Sequence, residues 1–140
     1  LRNTKYINNW DLVDSSADKI LGEYLFSTQQ SIKRLKILAK SRFLWDRRIG
    51  IIATYAYIKH GDPKPTLFVA RFLQRDTHDL IHKATGWALR EVGKRDLSEL
   101  HKFLEKNISK MPRTMLRYAI ERFKEPKRIF YLKGFNIKIS

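Results

Sequence analysis

The chain has 140 residues, 43% hydrophobic and 31% charged, with 29 Lys+Arg against 14 Asp+Glu, a net charge of +15 and no cysteine. That length supports one globular domain with a real core, and the missing cysteines exclude disulfides, Cys-based zinc sites and thiol catalysis. No run approaches the ~20 apolar residues of a membrane span, nothing has the pattern of a signal peptide, and a pI near 10.2 points first to nucleic acid as partner.

Helical period dominates from the start. Residues 9–25 put Val13, Ala17, Ile20, Leu21 and Tyr24 on one face. Asn8 or Asn9 can cap that helix, and Asp11 suits its first turn. Trp10 and Asp14 lie four apart, side by side on one face. Asp14 also borders the apolar stripe, where a carboxylate ordinarily serves a salt bridge, for instance to Arg48. A second helix is expected over 29–40, with Ile32, Leu35, Ile37 and Leu38 between basic positions.

A third helix is expected over 44–59, "LWDRRIGIIATYAYIK". Trp45 aligns with Ile49 and Ile52 and reads as core. Arg48 is in register with Leu44 and Ile52. An Arg in an apolar row sits at the edge of burial with an anionic partner: Asp14, a phosphate, or each in turn. "HGDPKP", residues 60–65, is a break.

Helices over about 66–74 and 77–93 follow, and Gly93 is placed to end the second. In that second helix Ile81, Ala84, Ala88 and Val92 form the core side. Lys83, Trp87, Arg90 and Lys94, at spacings of 4, 3 and 4, share another face. Trp87 therefore lies among cations. It is either a boundary indole covered by Lys and Arg stems, or an aromatic platform among phosphate-binding groups. "HDLIH", residues 78–82, puts two histidines on one face like a zincin helix, but with Asp79 for the Glu and no evident third ligand, so no metal is assigned.

Asp96 or Ser98 starts another helix to about 108, and Pro112 suits the first turn of the next. That helix presents Arg113 and Arg117 outward and Leu116, Ala119 and Phe123 inward. Residues 125–140 hold one more short apolar stretch that frays; "FNIKIS" is too short to matter as a strand. Trp45-x-x-Arg48 recurs as Trp87-x-x-Arg90, 42 residues later, the size of one HEAT-like helical pair. The expected fold is all-α, a HEAT-like superhelix of stacked antiparallel helix pairs. A single domain is expected over 1–135 with a tail at 136–140. The start at Leu1 without Met suggests the C-terminal part of a longer chain.

Four segments together, "NNWDLVDSSADKILGEYL", "LWDRRIGIIATYAYIKHGD", "DLIHKATGWALREVGKRD" and "MPRTMLRYAIERF", resemble the AlkD-like family of DNA alkylation-repair glycosylases. They occur in the family's order and span most of the chain. The resemblance implies HEAT-like repeats whose concave basic surface holds duplex DNA, and excision of purines alkylated at N3 or N7. Trp10 and Asp14 match the family's W-x-x-x-D pair, Arg48 the Arg of its W-x-x-R helix, and Trp87 the Trp of its "GW-x-L-R-E". It implies that Asp14 is catalytic, that Trp10 and Trp87 line the lesion site, and that Arg48 contacts the DNA there.

The basic residues Lys83, Arg90, Lys94, Arg113 and Arg117 are the candidates for the DNA backbone. The expected partner is double-stranded DNA with alkylated bases, bound by a monomer in the cytoplasm, with no cofactor and no metal. A non-catalytic helical-repeat module that binds nucleic acid is the alternative. A protein-interaction scaffold is a third reading, which the cations around Trp87 speak against.

Overall fold

The computed structural model describes residues 22–28 and 31–139, and all regular structure among them is helical. The first described elements are α1 (Glu23–Thr28), α2 (Ser31–Ala39), α3 (Leu44–Ala53) and α4 (Tyr55–Lys59). They are followed by α5 (Lys64–Leu73), α6 (Asp79–Arg95), α7 (Leu97–Asn107), α8 (Arg113–Ala119) and α9 (Glu125–Ile139). Trp10 and Asp14 lie outside the described residues.

Polar side chains close several of the junctions. Ser41 Oγ accepts from the Phe43 N–H and donates to Asp46 in the first turn of α3, at 3.1 and 2.8 Å. It does the work of a cap where Phe43 itself has none. The expected helix over 44–59 is divided at Thr54, whose buried hydroxyl donates to the Ile51 carbonyl at 2.6 Å. That bond competes with the regular ladder and bends the chain into α4. Gly61, at φ 84°, makes the turn before α5.

Asp96 ends α6 and begins α7: its N–H donates to the Val92 carbonyl, and its carboxylate accepts from the Glu99 N–H. The helix thus passes the expected stop at Gly93 and runs to Arg95. Pro112 sits just before α8 rather than in its first turn. The 125–140 stretch, expected to fray, is a helix to Ile139.

The helices stack in two rows. In one row α2 packs on α5; in the other α3 packs on α6, and α6 on α8. Each α2–α3 and α5–α6 pair is also in contact, as stacked helical hairpins require. A first core lies between the rows, built from Leu35 and Leu38 of α2, Ile49 and Ile52 of α3, Val69 and Leu73 of α5, and Ile81, Ala84 and Ala88 of α6. A second joins Leu89 to Leu100, Phe103 and Leu104 of α7, Met115 and Leu116 of α8, and Tyr131 of α9. Helix α6 serves both cores, so its remaining face is positioned by packing on two sides.

Two residues of the apolar patterns are outside. Ile37 is 70% exposed and Tyr24 50%. On α2, Leu35, Leu38 and Ala39 define the buried stripe, and at 100° per residue Ile37 projects from the opposite side.

Candidate functional site

The start of α6 is held by two adjacent arginines of α3. Arg47 Nε meets Asp76 Oδ2 at 2.6 Å, and its Nη1 donates to the Ser41 carbonyl. Arg48 Nη1 donates to the Leu80 carbonyl at 3.1 Å. Asp76 in turn accepts from the His78 N–H at 2.9 Å, and its carbonyl bonds the His82 ring. His78 Nδ1 caps α6 by accepting from the Leu80 N–H. The histidines of "HDLIH" therefore build this junction.

Arg48 is 5% exposed, deeper than the edge position its register suggests. Trp45 is partly buried against the first core, as read from the sequence. Trp87 lies seven residues beyond Leu80 on nearly the same face of α6, about 10 Å along the helix axis. It is half-buried, and its indole meets the Tyr118 ring of α8 edge to face, with centroids 5.8 Å apart and planes at 90°. One edge of the indole is packed on a neighbouring helix, and part of the ring remains accessible.

The cations around Trp87 are partnered. Lys83 Nζ lies 3.3 Å from Asp79, Arg90 Nη1 2.5 Å from Glu121, and Lys94 Nζ 3.3 Å from Glu91. Arg90 also approaches Glu91 at 3.7 Å. Such partly exposed pairs are worth little individually, so phosphate can compete for these cations while the carboxylates moderate the local field. Asp79–Lys83 and Glu91–Lys94 follow helical spacing, the one signal by which the sequence could have found them. Glu121 and Tyr118 were missed, because only the packing of α8 on α6 brings them here.

The backbone candidates fall into two open grooves. Lys83 and Arg117 line one of ≈ 630 Å³ with Tyr118, Glu121 and Arg128. Arg90 and Lys94 line another of ≈ 750 Å³, floored by Leu97 and Phe123 and rimmed by Arg122, Lys124 and Lys127. Arg113 is exposed and lines neither. Among the described residues no three His, Asp or Glu side chains converge as a metal site, and no helix is long and apolar enough to cross a membrane.

Compared with known families, residues 1–123 match the one described as DNA alkylation repair enzyme. No curated protein matches the chain.

Proposed function

This chain belongs to the DNA alkylation repair enzyme family, and from that premise we propose that it is a monofunctional DNA glycosylase. It removes purines alkylated at N3 or N7 from duplex DNA. The observation that supports this reading is that Arg48 of α3 bonds the Leu80 carbonyl in the first turn of α6, and Trp87 of α6 follows two turns later on nearly the same face as Leu80. Asp14 and Trp10, matched to the family's W-x-x-x-D pair, complete the site.

An N3- or N7-alkylpurine carries positive charge. When its C1′–N9 bond breaks, the electron pair stays on the base, which leaves neutral, so the general acid of ordinary glycoside hydrolysis is unnecessary. The charge passes to the sugar as an oxocarbenium ion. Asp14 stabilises that ion and holds the water that attacks C1′, whose proton passes to solvent. A carboxylate ~4 Å from a cation at an effective dielectric of ~20 contributes about 4 kcal/mol. Acting in the transition state, that is roughly a thousandfold in rate. Trp10 and Trp87 turn electron-rich faces to the cationic nucleotide, and the buried Arg48 positions the first turn of α6 beside it.

The test is release of 7-methylguanine and 3-methyladenine from methylated duplex DNA in single turnovers. The expected result is release by the wild-type chain and a loss of about a thousandfold in Asp14→Asn, with duplex affinity little changed. Equal rates for the two proteins remove Asp14 from the mechanism. Tight duplex binding without any base release identifies a non-catalytic DNA-binding module instead.

A further inference from the structure

A further set of cations gathers on α2, α5 and α7. On α2 and just past its end, Lys33, Lys36 and Lys40 are spaced by 3 and 4, along one exposed face. Lys36 Nζ and Lys40 Nζ lie 6.0 and 5.1 Å from the centre of the Phe72 ring of α5. The Arg71 guanidinium lies 5.9 Å from that of Phe68. The two rings meet edge to face at 5.1 Å and are partly buried against the first core. Next to them α5 and α7 share an open groove of ≈ 470 Å³, where Lys64, Arg71, Lys102 and Lys106 are rim cations.

Among the described residues, Lys102 is the one of these side chains with an ion pair, to Glu99 at 3.7 Å. Lys83, Arg90 and Lys94 beside Trp87 each have a carboxylate partner. Anchored over aromatic rings, the Lys36, Lys40 and Arg71 heads keep their charge and N–H donors while losing freedom. An array of like charges that outnumbers the one carboxylate of the groove raises the local field. The occupant that relieves it is a polyanion of regularly repeated charge. Single strands bind by stacking bases on open aromatic faces. Here the chain's own cations cover Phe68 and Phe72, which favours contact with a duplex backbone.

We propose that the exposed surface of α2, α5 and α7 is a second, sequence-independent binding surface for the phosphate backbone of duplex DNA, distinct from the Trp87 face of α6. It requires DNA as the partner but not base excision. With it, the protein holds a DNA segment independently of whether the Trp87 side is engaged, and bridges two segments when both surfaces are occupied.

The test is the salt dependence of binding to undamaged duplex DNA for the triple variant Lys36→Gln, Lys40→Gln, Arg71→Gln. Each phosphate contact contributes about 0.9 to the log–log slope, so the triple variant is expected to lose roughly 2 to 3 from it. Its thermal midpoint and its base-release rate at saturating DNA should match wild type. A wild-type slope in the folded variant overturns the proposal. So does a surface that binds polyglutamate in a manner sensitive to these substitutions while duplex DNA fails to compete. A wild-type chain that releases no base, combined with the reduced slope in the variant, supports this surface and removes only the catalytic reading.

Discussion

The Trp87 indole and the Tyr118 ring stand at 90° to one another with centroids 5.8 Å apart, and the residue before Trp87 explains how they meet. A Cβ on Gly86 would lie 2.6 Å from Tyr118 Cβ and 2.7 Å from the Met115 carbonyl oxygen. Helices α6 and α8 approach so closely only because that side chain is missing. The Gly-Trp dipeptide thus couples a close backbone contact to the orientation of the indole.

Tyr118→Phe should leave stability within about 0.5 kcal/mol, because the edge-to-face contact survives. Tyr118→Ala should cost about 2 kcal/mol, combining the lost ring contact with lost burial. Chemical denaturation followed by tryptophan fluorescence measures both. Equal stability for Phe and Ala would show that the ring contact contributes nothing.

Gly86→Ala should destabilise by about 1–2 kcal/mol. Overpacking costs typically 1–3 kcal/mol, offset in part by better helix propensity. Gly93→Ala is the comparison. Its new Cβ would meet chiefly the terminal Cδ2 of Leu100, the movable end of a side chain, so a change within about 0.5 kcal/mol of zero is expected. Thermal melting of the two variants side by side checks the difference.

Asp76 is 7% exposed and Arg47 18% in their 2.6 Å pair. Removing Asp76 leaves Arg47 mostly buried without its carboxylate and takes away the acceptor of the His78 N–H. Asp76→Ala should cost about 2–4 kcal/mol. The Arg47→Ala, Asp76→Ala double variant should be more stable than the sum of the single losses predicts, by about 1–3 kcal/mol. A double-mutant cycle in urea measures it.

His101 supplies a pH dependence. Its Nδ1 lies 2.6 Å from the Tyr131 hydroxyl, and its Nε2 is buried without a hydrogen bond. Burial, then the nearby Lys127 charge, push the imidazole below its ordinary value of 6.5, against an opposing contribution from Glu105. The unfolded chain therefore takes up a proton that the folded chain resists. This contribution to stability is complete above about pH 6.5 and is lost as pH falls through the folded value. In melting between about pH 7 and about pH 5, His101→Gln should lose less midpoint temperature than wild type. An identical acid slope would remove His101 as the source.

Local pattern reached far in some places and stopped abruptly in others. Ile81, Ala84, Ala88 and Val92 were legible as the core side of α6 because burial there follows helical period, and all four are fully buried. Ile37 was not, because an apolar residue on a basic helix carries no mark of which stripe faces inward. Gly93 looked like a stop, yet it lies within α6 against Leu100. The same glycine chemistry serves a helix end or a close approach, and only the neighbouring helix distinguishes them.

The stripe of Lys83, Trp87, Arg90 and Lys94 shows where the boundary falls. The sequence determined that these four share a face of one helix, since 3.6 residues per turn fixes their angles before any tertiary contact forms. It also determined the polyanionic character of the partner, through an excess of positive charge that no fold can cancel. The tertiary structure decided what that face meets. It set Tyr118 against the indole and Glu121 against Arg90, and it buried Arg48 at the first turn of α6. Those partners lie 31, 31 and 32 residues away in the chain, beyond the reach of helical spacing. Only the stacking of α3, α6 and α8 brings such distant groups within bonding distance.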